Sequence, residues 1–169
     1  FFNKKVNLGL DLQGGSYLLL EVDSTSIEER RLQSKVVPIK KNLNEKSIKF
    51  QNFVVTEKNI NFDIDQNDLE KFETFFKDRK GNDINSYLDK YNSFELEHKI
   101  TNNKVNIFLS KYGIINIRSA AVDQSIEIVR RRIDEVGTKE PTILKQGNNR
   151  ILVELPGVKD PERIKDLLG

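Results

Sequence analysis

Two adjacent glycines, Gly14 and Gly15, follow Asp11 near the start of the chain and precede an apolar run. Glycine-rich turns that hold phosphate groups have G-x-G-x-x-G or G-x-x-x-x-G-K-[ST] spacing and open a helix. Here the pair leads into residues 17–20, which have the composition of a buried strand. The spacing of the glycines and the strand that follows them therefore argue against nucleotide binding. They favour a role in the backbone, such as a β-bulge or the close approach of another backbone segment.

A single histidine, His98, is the next side chain that could take part in catalysis. It alternates with Leu96 and Ile100 along a predicted strand, so it lies in phase with apolar neighbours. No serine or cysteine nucleophile pattern accompanies it. We therefore predict a partly buried histidine with a hydrogen-bond partner rather than a catalytic residue.

Three consecutive arginines, Arg130 to Arg132, could bind an anion, but they fall inside a predicted helix. Successive residues of an α-helix are rotated by about 100°, so the three side chains cannot converge on one ligand. Glu127 lies four residues before Arg131, and Glu135 four residues after it, which is the spacing of helical ion pairs. We expect at least one of the arginines to form a local salt bridge.

Composition limits the chemistry further. The 169 residues include no cysteine, which excludes disulfides, thiolate metal sites and thiol nucleophiles, and no carboxylate-rich loop has calcium-binding spacing. We predict no catalytic residue, no metal and no cofactor. The formal net charge of +2 is too small to indicate a nucleic acid as partner. Residues 24–50 are basic, but no aromatic residue is interleaved before Phe50, so a solvated helix face is favoured over a nucleic-acid surface.

The chain contains no methionine and begins with Phe1, so we expect it to be a segment of a longer protein. No run approaches the roughly 20 apolar residues that span a bilayer. Whatever anchors or targets the parent protein is therefore expected outside this segment.

Hydrophobic periodicity predicts alternating strands and helices. Hairpins are expected at 53–64, 94–109 and 142–155, the first with Ile60, Phe62 and Ile64 on one face. The strongest helix is expected from about Ser119 to Val136 and is ended by Gly137. Its apolar stripe is formed by Val122, Ile126, Val129, Ile133 and Val136.

The other predicted elements are a strand at 17–22, a helix at 26–46 that is interrupted or bent near Pro38, and a final helix at 160–168. A further helix is expected after Asn67, with Glu70 in a capping box and Leu69, Phe72 and Phe76 at helical spacing.

A strand, a helix, a hairpin and a second helix make up most of a ferredoxin-like βαββαβ arrangement. Hairpin-then-helix segments are predicted at 53–78 and 142–168, and the second lacks a closing strand. We therefore predict the α+β class, with an antiparallel sheet in a ferredoxin-like βαββα(β) module. The missing strand predicts an exposed sheet edge that can pair with a neighbouring molecule.

Three sequence blocks carry a family resemblance. Residues 8–15 read LGLDLQGG and are similar to the glycine-pair signature that follows the first membrane span in the SecD family of protein-export membrane proteins. Residues 128–137 with Glu140-Pro141 are similar to a helix and turn further along, and residues 146–158 to the hairpin after it. The blocks occur in the family's order, and the glycine pair alone also fits the related SecF family.

The resemblance implies a set of family-motif residues with a structural or docking role. They are Asp11, Gly14, Gly15, Arg131, Arg132, Asp134, Gly137, Pro141, Glu154, Pro156 and Gly157. It also implies a ferredoxin-like base module formed by residues 8–23 and 111–169, interrupted by an inserted αββαββ module at 24–110. The residues alone equally allow a contiguous βαββαβ unit from 10 to 100.

The function that the resemblance implies is a non-catalytic one. A SecD-like segment of this kind is expected on the periplasmic side of the bacterial inner membrane, where it assists late translocation and release of preproteins driven by the proton-motive force. SecF, the SecY channel complex and the unfolded preprotein are the implied partners. Antiparallel sheet edges could bind an extended chain by strand addition.

Two other functional classes stay open from the residues alone. A ferredoxin-like RNA-binding module needs exposed aromatic residues on its central strands, a pattern that the 53–64 and 142–155 hairpins lack. A small anion-binding module or hydrolase needs an arginine or asparagine loop, and the glycine pair supplies no such side chain.

Overall fold

The computed structural model describes residues 2–10, 16–80, 83–135 and 140–157. The chain divides into two compact units, the first formed by residues 1–24 with 117–169 and the second by residues 25–116. Helices and antiparallel sheets occur together in the described residues, which confirms the α+β class.

The described residues form ten strands, four α-helices and two short 3-10 turns, the latter at Gln66–Asp68 and Asp89–Tyr91. The helices are α1 (Thr25–Ser34), α2 (Val36–Glu45), α3 (Leu69–Phe76) and α4 (Lys111–Glu135). The strands are β1 (Phe2–Leu10), β2 (Ser16–Val22), β3 (Phe50–Val55), β4 (Ile60–Ile64), β5 (Tyr87–Leu88), β6 (Ser93–Phe94), β7 (Leu96–Thr101), β8 (Lys104–Leu109), β9 (Thr142–Gln146) and β10 (Arg150–Leu155).

The sheet of the first unit has the order β1-β2-β10-β9, with antiparallel neighbours throughout. Leu20 lies opposite Ile151, and both side chains are buried. Lys145 of β9 lies opposite Ile151 of β10, so the two side chains are on the same face of the sheet. Its ammonium group donates hydrogen bonds to Ser119 and Asp123 of α4, so α4 covers this face of the sheet.

Strand β1 is an element that the sequence analysis did not identify. It pairs along β2, with Leu10 opposite Ser16 and Phe2 opposite Val22. Polar residues at 3–5 interrupt its apolar pattern, and this hid the strand from periodicity. Among the described strands, the sheet therefore ends at β1 on one side and β9 on the other.

Helix α4 begins at Lys111, whereas the sequence predicted a start near Ser119. Ser110 caps it, because the Ser110 Oγ accepts a hydrogen bond from the Gly113 N–H at 2.8 Å. Gly113 and the mixture of polar and apolar residues after it are the reason why the first turns of the helix were not predicted from the sequence. The predicted apolar stripe is confirmed by three fully buried side chains, Val122, Val129 and Ile133.

The large sheet of the second unit has the order β3-β4-β8-β7. Both hairpins predicted here are confirmed, and a turn at Asn102-Asn103 joins β7 to β8. The predicted apolar face of β4 is buried against the phenylalanines of α3. The largest fully buried side chains of this core include Phe62, Phe72, Phe76, Ile84, Leu96 and Ile107.

The helix predicted at 26–46 is two helices, since α1 ends at Ser34 and α2 begins at Val36. Pro38 lies in the first turn of α2, where its missing N–H removes no intrahelical hydrogen bond. The interruption is therefore real, but it precedes the proline.

The predicted capping box at Asn67 is wrong. Asn67 lies inside the 3-10 turn at Gln66–Asp68, and α3 begins after that turn without a side-chain cap hydrogen bond. The apolar positions of α3 are as predicted, with Phe72 and Phe76 buried in the core.

Candidate functional site

A buried carboxylate, Glu95, lies directly before β7 between two cations. The Arg31 guanidinium of α1 donates to it from Nε and Nη2 at 2.5 and 3.0 Å, and the Lys35 ammonium lies 2.9 Å from its Oε2. Burial raises the pKa of Glu95, but the hydrogen bonds and charges of Lys35 and Arg31 outweigh it and hold the pKa below its ordinary value. The three charges fasten α1 and the α1–α2 junction to the start of β7.

The backbone around Glu95 is also held by hydrogen bonds. The Glu95 C=O accepts a hydrogen bond from the Ser110 N–H at 2.9 Å, and the Glu95 N–H donates to the Ser86 C=O at 2.8 Å. The Ser110 hydroxyl, which also caps α4, donates to the Phe94 C=O at 2.7 Å. The start of β7 is thus joined to the start of α4.

Asn85 extends this network along the outer edge of β7. Its Nδ2 donates to the Leu96 C=O at 3.1 Å, and its Oδ1 accepts from the Leu96 N–H at 2.7 Å. The same Nδ2 donates to the Phe76 C=O of α3 at 3.2 Å. Asn85 is 1% exposed, so its amide replaces water for backbone groups at a buried position.

A groove of about 630 Å³ runs along β7, with α3 on one side. We call it the β7 groove. The ribbon of β5 and β6 contributes Tyr87 and Phe94 to it, whose rings meet edge to face with centroids 5.0 Å apart. Its lining also includes Glu73, Phe76, Lys77, Glu97, His98 and Ile100.

His98 lies in this groove with its side chain 8% exposed and its Nε2 3.4 Å from the Glu73 Oε1. Its ring meets Phe72 and Phe76 edge to face, at centroid distances of 5.4 and 5.0 Å. Burial lowers the pKa of His98 below its ordinary value, opposed by the contact with Glu73 and assisted by the charge of Lys77. The predicted partly buried histidine with a hydrogen-bond partner is confirmed.

We expect the free energy of unfolding to fall as the pH drops below about 6.5, the ordinary pKa of histidine. The unfolded chain binds a proton there first, because the folded-state pKa of His98 is lower; the loss is complete once the pH passes below that folded value. Urea unfolding followed by circular dichroism at a series of pH values tests this. His98 is the one histidine of the chain, so His98→Gln removes this slope, and an unchanged slope in the variant would contradict the assignment.

Seven of the family-motif residues predicted from the resemblance lie among the described residues. Arg131 and Asp134 are exposed near the end of α4, and Arg132 is half-buried. Pro141 is half-buried before β9, and three exposed residues follow on β10 and after it, Glu154, Pro156 and Gly157. The predicted sites Asp11, Gly14, Gly15 and Gly137, and the predicted helix at 160–168, lie outside the described residues.

The strand register brings part of this set to one end of the first sheet. Glu154 pairs with Thr142, which follows Pro141 directly, and Leu155 pairs with Ser16, which follows the glycine pair in sequence. Gly157 has a φ of +75°, a left-handed conformation that favours glycine where the chain turns away from β10. The role of these residues stays a prediction.

The predicted salt bridge in the arginine run is confirmed at Arg130. Its Nη1 lies 2.8 Å from the Glu127 Oε1, three residues earlier in the helix. Both side chains are more than half exposed, so the pair contributes little to stability.

Sequence reasoning missed the residues that organise the second unit. Glu95, Lys35 and Asn85 carry no local signal, because their partners are remote in sequence; Arg31 and Glu95 are 64 residues apart. Ser110 is the exception, since a serine directly before a helix is a recognisable N-cap.

No helix among the described residues combines the length and apolar composition needed to cross a membrane. No group of three or more histidine, aspartate or glutamate side chains in these ranges is arranged to hold a metal ion.

Comparison with known proteins gives matches along the whole chain. The family model described as "Protein translocase subunit SecDF, P1 domain, N-terminal" matches residues 122–169, and "SecD/SecF GG Motif" matches residues 1–26. Protein translocase subunit SecD of Acetobacter pasteurianus is 41% identical over 171 residues, 98% of this chain and 31% of the relative. The SecD subunits of Rickettsia conorii and Magnetococcus marinus are 35% and 34% identical, over 97% and 99% of this chain and 29% and 30% of their own lengths. No solved structure matches.

The fold and these matches define an α+β domain of the kind found in protein translocase subunits. The chain belongs to the SecD family, which confirms the resemblance seen in the three sequence blocks. It spans about three tenths of the length of the curated relatives.

Proposed function

We propose that the chain is part of the periplasmic P1 domain of a SecD-type subunit in the bacterial inner membrane. In this role it acts as a non-catalytic module that assists late, proton-motive-force-driven translocation and release of preproteins. SecF and the SecY channel complex are its partners through the parent protein, whose other segments supply the membrane anchors and the proton pathway. The relatives' name, protein translocase subunit SecD, supports an export role.

We further propose a base module of residues 8–23 and 111–169 with residues 24–110 inserted. Support comes from the strand order of the first unit, where β2 and β9 flank β10 and both run antiparallel to it. Strand β2 is therefore parallel to β9, with α4 between them in sequence. A split β-α-β of this kind is part of a ferredoxin-like module.

We propose that the domain binds unfolded preprotein, and the unpaired edges of its sheets are the observation that supports this role. In the described residues, β1 and β9 of the first sheet and β3 and β7 of the second each pair with a neighbour on one side only. An edge strand can accept an extended chain through backbone hydrogen bonds, with weak dependence on sequence. Weak selectivity suits a component that meets many unfolded preproteins.

A complementation experiment tests the export role. Residues 1–169 replace the matched segment of a working SecD, and the chimaera is expressed in a strain that lacks SecD. We expect export of a secreted reporter to be restored, as judged by signal-peptide cleavage. Failure of export, with the chimaera stable in the membrane, would contradict the proposal.

The same assay with residues 24–110 deleted separates the two modules. Restored export would make the inserted module accessory, and lost export with a stable product would make it essential.

A further inference from the structure

The outer edge of β7 carries backbone groups at strand spacing. The hydrogen bond from the Ser110 N–H to the Glu95 C=O, one residue beyond the Leu96–Leu109 pair, sets the phase of the β7–β8 ladder. In an antiparallel ladder, residues that are hydrogen-bonded to the partner strand alternate with residues whose N–H and C=O point away from it. Three residues of β7 therefore point their backbone groups outwards, Leu96, His98 and Ile100.

The first of these outward residues is already paired in the manner of a strand. The Asn85 side chain both donates to and accepts from the Leu96 backbone, as a residue of a neighbouring strand would. The outward N–H and C=O groups of His98 and Ile100 make no hydrogen bond to any other residue in the part of the chain that the structure describes. The ladder that Asn85 begins is thus left open beside the β7 groove.

We propose that the β7 groove binds an extended segment of unfolded polypeptide, which adds to the second sheet as a strand alongside β7. This inference rests on the proposed function and assigns its ligand a place. Donors and acceptors two residues apart along one edge fit an extended backbone, because a helix keeps its own N–H and C=O groups paired internally. The outward backbone groups of His98 and Ile100, together with the Asn85 amide, determine where the added strand lies.

The walls of the groove determine which side chains the bound segment carries. Tyr87 and Phe94 are both half-buried and offer apolar ring surface in the groove. The charged lining residues are Glu73, Glu97 and Lys77, two acidic and one basic, so a strongly acidic segment is disfavoured as the ligand. Side chains of a strand alternate between faces, so we expect apolar residues at every second position of the bound segment.

The test is the binding of a fluorescein-labelled unfolded peptide with leucine at alternate positions, followed by fluorescence anisotropy with the full chain. Ile100→Pro removes one outward N–H without touching the ladder to β8, a position where an edge strand tolerates proline. The loss of this hydrogen bond, and of the close approach it allows, is expected to weaken peptide binding about tenfold.

Val55→Pro is the matched control on the other edge strand. Val55 is the last residue of β3, and the Thr56 N–H directly after it donates to the Asn59 C=O in the turn to β4. The N–H of Val55 therefore points outwards, like that of Ile100. Binding by this variant is expected to equal that of the parent chain. Circular dichroism establishes that both variants are folded.

If Ile100→Pro fails to fold, the peptide is modified instead. Two peptides are compared, one N-methylated at its odd-numbered residues and the other at its even-numbered residues. The peptide whose methyl groups block the N–H groups that face β7 is expected to lose binding, and the other peptide is expected to bind as before.

Equal binding by all variants, or loss of binding by Val55→Pro alone, would overturn the groove assignment and leave the proposed function standing. The assignment would also fall if Ile100→Pro disrupted a dimer of the chain without affecting peptide binding. A parent chain that binds no unfolded peptide would contradict the polypeptide-binding role itself.

Discussion

Replacing Glu95 with alanine is expected to lower the free energy of unfolding by about 3–5 kcal/mol. The reason is that the substitution leaves positive charge without a counter-charge. The Lys35 side chain is 6% exposed, so its ammonium group would remain buried without a counter-charge. Arg31 is 44% exposed, and water restores part of what its guanidinium loses. Most of the destabilisation therefore comes from Lys35.

Urea unfolding followed by circular dichroism measures this loss, with Glu97→Ala as the matched control. Glu97 lies two residues along the chain and is exposed, so its substitution is expected to change stability by no more than about 0.5 kcal/mol. A double variant, Lys35→Met with Glu95→Leu, removes both buried charges and is expected to recover much of the loss. Equal effects of Glu95→Ala and Glu97→Ala would show that the buried cluster contributes no stability.

The pH dependence of the same cluster provides a separate readout. Because the folded-state pKa of Glu95 lies below its ordinary value, its stabilisation is complete above the unfolded-state pKa of about 4.3 and is lost as the pH falls through the folded value. Glu95→Ala lacks this component, so its acid unfolding should be less steep than that of the parent chain. The contribution of His98 belongs to a higher pH range and is unaffected by the Glu95 substitution.

Periodicity found the elements whose patterns are clean. The β4 strand alternates Ile60, Phe62 and Ile64 towards the core, and the second half of α4 repeats apolar residues at helical spacing. Each pattern is local, so the sequence alone contains it. The three hairpins and the α+β class were predictable for the same reason.

The elements that were missed depend on partners remote in sequence. Strand β1 has a polar stretch at 3–5 and forms because β2 pairs with it. The first turns of α4 follow a serine cap and contain Gly113, which helix propensity disfavours. Tertiary contacts decide both cases, and periodicity does not encode them.

The β7 groove was likewise beyond sequence reasoning. Sequence indicated that sheet edges could bind a chain, but the open edge of β7 follows from the sheet order β3-β4-β8-β7 and from the side chain of Asn85. An asparagine in a polar loop sequence is ordinarily exposed. Only the fold places this one at 1% exposure against Leu96.

The second large effect is expected at Gly113, where alanine should lower the free energy of unfolding by about 1–3 kcal/mol. A glycine-to-alanine change inside an open helix normally stabilises by about 0.5–1 kcal/mol, so the expected sign is reversed. An added Cβ would lie 2.2 Å from the Glu95 carbonyl oxygen and 3.1 Å from the Glu95 carbonyl carbon. Close packing against a backbone, and not an unusual φ, therefore requires glycine here.

The clash is costly because Glu95 cannot move away cheaply. Its carbonyl oxygen accepts the Ser110 N–H, and its carboxylate is held by Arg31 and Lys35. Asn116→Ala, at an exposed position of the same helix, is the matched control and is expected to stabilise slightly through helix propensity. Urea unfolding of both variants measures the difference. Destabilisation by Gly113→Ala together with stabilisation by Asn116→Ala would support close packing of α4 against Glu95. Stabilisation by both substitutions would contradict it, because α4 could then shift to make room for the added Cβ.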